Sequence, residues 1–264
     1  MEDGCARCRG RRTLDFDFTF AFQPIVDVKA GRVFAFEALV RGPNGEGAAA
    51  ILERLKPGDI YAFDQAARVK AVNLASVLMA DNTALLSINI IPYAVYDPVR
   101  CLRTTLTAAR DCGFPVNSIM FEITEREQVA DVAHLKRIIS HYSSEGFITA
   151  IDDFGAGFAG LGLLADFKPH IVKLDMGLVR NIDQDNHRRI IVSGVVQTAF
   201  ALGLKVIAEG IESAAEMQVL RDLGIELFQG FYFAKPALEM LPMPSIAPAE
   251  RAVIGPQLSA VDVG

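Results

Sequence analysis

FTFAFQPIVDVKAGRVFAFEALVR, running from Phe18 to Arg41, is the stretch on which the fold turns. It holds two apolar runs rich in aromatic and β-branched residues, Phe18–Val28 and Val33–Val40, each long enough for a strand. Only a short turn around Lys29-Ala30-Gly31 joins them. A parallel crossover needs about a dozen residues or more, so the two runs must pair as an antiparallel hairpin.

The rest of the chain behaves differently. Apolar runs near Ala84–Ile90, Ser118–Thr124, Ile148–Asp152, His170–Asp175, Lys205–Glu209 and Leu227–Gln229 continue the pattern. Between them lie stretches of helical period: Asp59–Ala80, Asp97–Asp111, Val129–Glu145, Asp183–Leu202 and Ser213–Leu223. Asp59, Asp97, Asp183 and Ser213 stand where N-caps belong. Such alternation predicts an α/β protein with parallel strands. Eight strands in 264 residues match the ~250 residues of a (β/α)8 barrel. The expected fold is a modified TIM barrel with one antiparallel strand.

Composition narrows the function. With 51% hydrophobic residues the chain can bury one large core. A formal net charge of −6 argues against long nucleic acid as a partner, because phosphate-tracking surfaces are basic. No apolar run approaches the ~18 residues of a membrane span. The opening MEDGCARCRGRR has charges without an apolar core behind them, unlike a signal peptide, so a cytoplasmic location is the expectation. Cys5 and Cys8 form one C-x-x-C, but no second pair of ligands follows at zinc-finger spacing. A structural or redox role and an untidy polar leader both remain open for them. The segment from about Leu241 carries Pro242, Pro244, Pro248 and Pro256 without a sustained period and reads as a flexible tail.

Polar residues recur at or near the C-terminal ends of the strands. Strand two brings Glu37, strand three Asn89, strand four Glu122, and strand five Asp152 and Asp153. Strand six brings Lys173, strand seven Glu209 and Glu212, and strand eight Gln229. In a barrel these ends converge on one mouth, where active sites sit. Taken alone, Glu37 reads equally as an exposed strand acid, Asn89 as a turn former, and Lys173 as half of a buried ion pair. Seven consecutive strands each contributing one resist that reading, because their apolar neighbours bury them. Gathered carboxylates repel one another and protonate unless cations join them. An all-oxygen set suits Mg²⁺, Mn²⁺ or Ca²⁺ and argues against zinc.

A competing signal sits in the fifth strand's sequel. Gly155, Gly157 and Gly160 spell G-x-G-x-x-G, the fingerprint of a dinucleotide cradle. Two acids would face the pyrophosphate there, and only about nine residues, Pro169 among them, separate Gly160 from the sixth strand. Asp175 falls roughly where a ribose-binding acid would, yet it belongs to that strand. The glycines are therefore expected to give a flexible loop over the mouth.

Motifs in order now carry a family likeness: Q-P-I at Gln23–Ile25, E-A-L at Glu37–Leu39, S-I-N, F-E-I-T-E, I-D-D-F-G-A-G-F, V-K-L-D, A-E-G-I-E and Q-G-F-Y-F-A-K-P. From about Phe18 to Pro236 the chain resembles the EAL-domain cyclic di-GMP phosphodiesterases of bacteria. It is most similar to EAL domains associated with BLUF blue-light sensors, although no such sensor lies within these 264 residues. The resemblance implies an EAL domain over 15–240, with a polar leader at 1–14 and the tail at 241–264.

It also implies roles. Glu37, Asn89, Glu122 and Asp152 would ligate a first divalent ion, with Asp152 bridging to a second that Asp153 helps hold and Gln229 supporting the site. Lys173 and Glu209 would orient the attacking water, Glu209 as general base. Gln23 and Arg41 would contact substrate, with Glu212 a supporting acid. Glu125 would anchor the loop after strand five. Mg²⁺ or Mn²⁺, two ions ~3.5–4 Å apart, would serve phosphodiester hydrolysis, with Ca²⁺ inhibitory. Where the family reads D-F-G-T-G-Y/F-S-S-L, Ala156, Ala159 and Gly160 remove three hydroxyls, which bears on the loop and not on the metal ligands.

The leading expectation is an enzyme that opens cyclic di-GMP to linear 5′-pGpG. The alternatives are a catalytically weak receptor for the same dinucleotide and a protein-interaction, antirepressor-like module on an EAL scaffold. The family and the apolar stretch Ile190–Leu204 point to a homodimer. A sensor or regulatory partner would fit the BLUF likeness.

Overall fold

The computed structural model describes residues 14–124, 132–157, 160–166 and 168–245. Its strands are β1 (Thr19–Asp27), β2 (Arg32–Arg41), β3 (Leu85–Ile90), β4 (Ile119–Thr124), β5 (Ile148–Phe154), β6 (Ile171–Leu174), β7 (Lys205–Ala208), β8 (Leu227–Phe228) and β9 (Ala237–Leu238). The helices are α1 (Ala48–Leu52), α2 (Ile60–Leu78), α3 (Pro98–Asp111), α4 (Val132–Ser144), α5 (Gly160–Asp166), α6 (Met176–Val179), α7 (Asn186–Ala201) and α8 (Ala214–Asp222).

The expected hairpin forms, and it closes the barrel. β1 runs antiparallel to β2 on one side and to β8 on the other, while β2 through β8 are mutually parallel in chain order. The reversed strand therefore occupies one stave of an eight-stranded barrel. β9, which the sequence pattern did not disclose, adds a short pairing to β1 at Ala21 and Phe22.

Capping separates the correct helix starts from the displaced ones. Asp97 accepts from the amides of Val99 and Arg100, and Ser213 forms a capping box with Glu216. The cap of α7 is Asp185, which accepts from His187 and Arg188, and not Asp183 as expected. Asp59 precedes α2 but makes no capping bond with its side chain.

Two apolar layers hold the barrel. The outer one packs strand faces such as Phe36, Leu86, Phe121 and Val172 against the helices. The inner one comprises Ile25, Phe34, Ala35, Met120, Ala150, Ile171, Ile207 and Leu227. Side chains on one face of a strand recur every second residue. Two residues from these inner positions stand Gln23, Glu37, Glu122, Asp152, Lys173, Glu209 and Gln229. A polar layer thus lies directly on an apolar plug, toward the C-terminal ends of the parallel strands.

Candidate active site

The mouth is organised around one buried cation. Lys173 is fully buried, and its ammonium lies 2.6 Å from Glu209, 2.8 Å from Glu122, 2.9 Å from Asp152 and 3.5 Å from Glu37. Burial works against the ammonium, yet Asp152, Glu122, Glu209 and Glu37 outweigh it and hold Lys173 well above the lysine range. The converse does not hold for every acid. Burial, with repulsion from Glu37, pushes Glu122 well above the carboxylate range. Burial likewise raises Glu209, Lys173 only partly opposing it. Glu37 is held low against its own burial by Lys173 and by hydrogen bonds from Gln229 and Asn89. One ammonium does not neutralise four carboxylates.

Hydrogen bonds fix the ring. Ser87 donates to Glu122 at 2.5 Å, Asn89 to Glu37 at 3.0 Å, and Gln229 to Glu37 at 2.7 Å and to Gln23 at 3.2 Å. Gln23 in turn donates to the carbonyl of Ala234. Glu209 and Gln229 lie just past the ends of β7 and β8, where their amides continue the ladder by bonding Leu174 and Ala208.

Adjacent aspartates normally face opposite sides of a strand. Here the β5–β6 register shifts between Ile151 and Phe154, and Asp153 adopts φ 55°, a left-handed conformation that aspartate tolerates. The irregularity brings Asp153 into the lining of the mouth while Asp152 stays on Lys173. Asp153 also accepts from Thr124 at 3.1 Å.

Above the ring is a cavity of about 270 Å³ lined by Gln23, Glu37, Asp153, Glu209, Glu212 and Gln229, among others. Its wall includes Arg180, paired with Glu212, and the exposed ring of Phe231. Arg41 instead donates back to the carbonyl of Val40 and does not line this cavity. Glu125 and the loop residues Phe158 and Ala159 lie outside the described residues, as do Cys5 and Cys8.

The described residues around the glycine-rich stretch lack the long helix and the free acid that a dinucleotide cradle needs. α5 is seven residues long, and Asp175 caps α6 through the amide of Gly177. Gly155, at φ 94°, is glycine for its conformation, and a Cβ there would also displace the end of the Leu178 side chain. Gly230 is tighter still: a Cβ would meet the backbone of Ile211 at 2.1 Å, next to Gln229.

Sequence reading missed Ser87 and Arg180. Ser87 could have been found, because Leu85, Ser87 and Asn89 share one face of β3. Arg180 follows a four-residue helix and carries no strand-end signal.

As they stand, no three His, Cys, Asp or Glu side chains among the described residues are arranged to hold a metal. The donor set nevertheless fits one. It is all oxygen, and the buried Gln229 Oε1 accepts no hydrogen bond, while Asp152 Oδ1 meets the Lys173 ammonium and no other donor among the described residues. Burial first, and then repulsion from neighbouring carboxylates, lifts Glu122 and Glu209, and further cations would favour their charged forms.

Fold and site together define a modified TIM barrel with an acidic, lysine-centred mouth at the strands' C-terminal ends. The chain belongs to the family described as "EAL domain", which matches residues 11–236. A crystal structure described as a standalone versatile EAL protein from Vibrio cholerae O395, in a c-di-GMP bound form, is 51% identical with TM-score 0.86, covering 90% of this chain and all of that one. The manganese/cy-diGMP complex of Klebsiella pneumoniae BlrP1 is 34% identical with TM-score 0.80, over 84% of this chain and 56% of that one. Among curated proteins, the blue light- and temperature-regulated antirepressor BluF of Escherichia coli K12 is 32% identical over 88% of this chain. Cyclic di-GMP phosphodiesterase PdeR of the same organism is 37% identical over 52% of it. The chain spans 57% of BluF and 20% of PdeR. No helix among the described residues is long and apolar enough to cross a membrane.

Proposed function

We propose that this chain hydrolyses cyclic di-GMP to linear 5′-pGpG with divalent metal ions. The observation that carries the reading is the convergence of Glu37, Glu122, Asp152 and Glu209 on Lys173, with the acceptor oxygen of Gln229 left unused. Relatives named for the activity and for complexes with the dinucleotide support it.

Glu37, Asn89, Glu122 and Asp152 would hold one ion, and Asp152 with Asp153 a second, with Gln229 in support. Such ions, when bound, acidify the attacking water and neutralise charge on the entering and leaving oxygens. The protein supplies the rest. Glu209, raised by burial and oriented by Lys173 at 2.6 Å, takes the water's proton. Lys173 keeps its own charge and so fixes the water and the carboxylates. The water's hydroxyl goes to phosphorus, the P–O3′ bond breaks, and the proton goes to the released 3′ oxygen. Gln23 and Glu212, on the cavity wall, would contact the dinucleotide, and Arg41 would join them from the end of β2. Glu125 would anchor the loop after β5, and the protein would act as a homodimer.

The likeness to an antirepressor favours a second reading, in which the barrel binds a protein partner and turns over slowly or not at all. Chromatography of cyclic di-GMP incubated with the chain and Mg²⁺ or Mn²⁺ separates the two. Accumulating pGpG supports the enzyme; intact substrate supports the module.

A further inference from the structure

The other end of the barrel holds a second cavity, of about 870 Å³. It opens among the N-terminal ends of the strands and the loops leading into β6 and β7. Its apolar walls include Phe34, Leu85, Ile148, Ile171 and Leu204. The β1–β2 register skips at this point, pairing Ile25 with Ala35 and Val26 with Val33. Phe34 is the extra residue, and it turns into the inner core as part of the floor.

The charged side chains that line this cavity are of one sign. Arg32, Lys168, His170 and Lys205 belong to its lining, and among the described residues no acid does, in a chain whose net charge is −6. All four are exposed. Among the described residues, Arg32, Lys168 and Lys205 have no ion-pair partner, whereas Lys29, Lys56 and Lys70 all do. The ammonium of Lys205 stands 5.1 Å above the Phe34 ring, at the boundary between floor and rim. His170 receives the amide of Thr149 on Nδ1, which leaves Nε2 as its donor.

A volume within the ~300–1,000 Å³ of small-molecule sites, apolar walls and a few convergent polar groups are what a ligand pocket requires. We infer that this cavity binds an amphipathic anion: one apolar chain seated over Phe34, Ile148 and Ile171, and a carboxylate or phosphate head met by Arg32, Lys168 and Lys205. Cations without partners at an apolar edge favour an anionic head over a neutral one, and the low polarity of the walls strengthens that preference. The inference stands apart from the chemistry at the mouth.

The test uses the full chain and three single-chain probes below micelle-forming concentration: decanoate, decyl phosphate and decanol. Calorimetric titration is expected to give one anion per chain, bound at least tenfold more tightly than decanol, with the tighter anion identifying the head. Arg32→Gln/Lys168→Gln/Lys205→Gln, all exposed positions, is expected to weaken the anions at least tenfold while leaving decanol binding and the thermal midpoint unchanged. Leu202→Glu, on the cavity's exposed lining, is expected to weaken all three probes. Anions that bind no better than decanol, many molecules per chain, or a triple variant that binds like the parent would overturn the inference.

Discussion

Replacing Glu209 by glutamine removes one charge and almost no volume. Of the four carboxylates around Lys173, those of Glu122, Asp152 and Glu37 remain, at 2.8, 2.9 and 3.5 Å. The ammonium therefore stays in place, and the glutamine carbonyl can still accept its proton. Burial already lifts the Glu209 carboxyl, with Asp152 and Glu37 repelling it, so its loss also relieves strain in an over-charged ring. The stability change is expected to stay within about 1 kcal/mol, or ~2–4 °C in thermal midpoint for a chain of this size. The rate should behave quite differently. General-base catalysis contributes ~10²–10⁴-fold, which is about 2.7–5.4 kcal/mol of barrier at ~1.36 kcal/mol per tenfold. The assay is kcat for cyclic di-GMP at saturating Mn²⁺, beside the dissociation constant and a melting curve. We expect kcat down by ~10²–10⁴-fold with binding unchanged within about threefold. A kcat within a few-fold of the parent would show that another group takes the proton, and a collapsed melting curve would show that Glu209 is structural.

Three further outcomes follow from the surrounding structure. Arg68, fully buried, pairs with Asp64 at 2.7 Å and also reaches Cys101 O and Thr105, so Arg68→Met should cost ~3–5 kcal/mol by denaturant unfolding, while Asp64→Leu/Arg68→Met should recover most of it; equal costs for single and double variants would refute the pairing argument. Glu216 is held below the ordinary glutamate value although burial pushes the other way, because it accepts the amides of Asn181, Glu212 and Ser213. That stability is present above the unfolded value of ~4.3 and is lost as pH falls through the folded one, so Glu216→Gln should cost ~1–3 kcal/mol at pH 7 and progressively less in acid. Gly230→Ala should lower both the thermal midpoint and activity, since the added carbon meets the Ile211 backbone beside Gln229; an unchanged midpoint would mean the turn relaxes freely.

The hairpin, the barrel and most of the mouth were legible because each rests on local spacing. A three-residue turn forbids a crossover, and a period of two stacks Glu122 on Met120 and Lys173 on Ile171. What escaped depends on contacts far apart in sequence. β9 is two residues long and exists only because β1 has a free edge there. Asp185 and Asp183 are equivalent as letters, and only the helix's docking selects between them. The paired acids Asp152 and Asp153 were visible, but the register shift that turns both toward the mouth was not. Arg41 follows the E-A-L motif as expected, yet its guanidinium folds back on Val40. The basic rim of the opposite cavity comes from the first residues of β2 and β7 and the loop before β6, and no short pattern announces it.

The central claim is that the carboxylates around Lys173 serve divalent cations in phosphodiester hydrolysis. The most direct measurement is product formation from cyclic di-GMP by metal-stripped chain, alone and with Mg²⁺, Mn²⁺ or Ca²⁺ restored. Mg²⁺ and Mn²⁺ are expected to restore linear pGpG, while Ca²⁺, which prefers longer bonds and more ligands, inhibits. Undiminished hydrolysis in excess EDTA, or no hydrolysis with any of the ions, would contradict the claim.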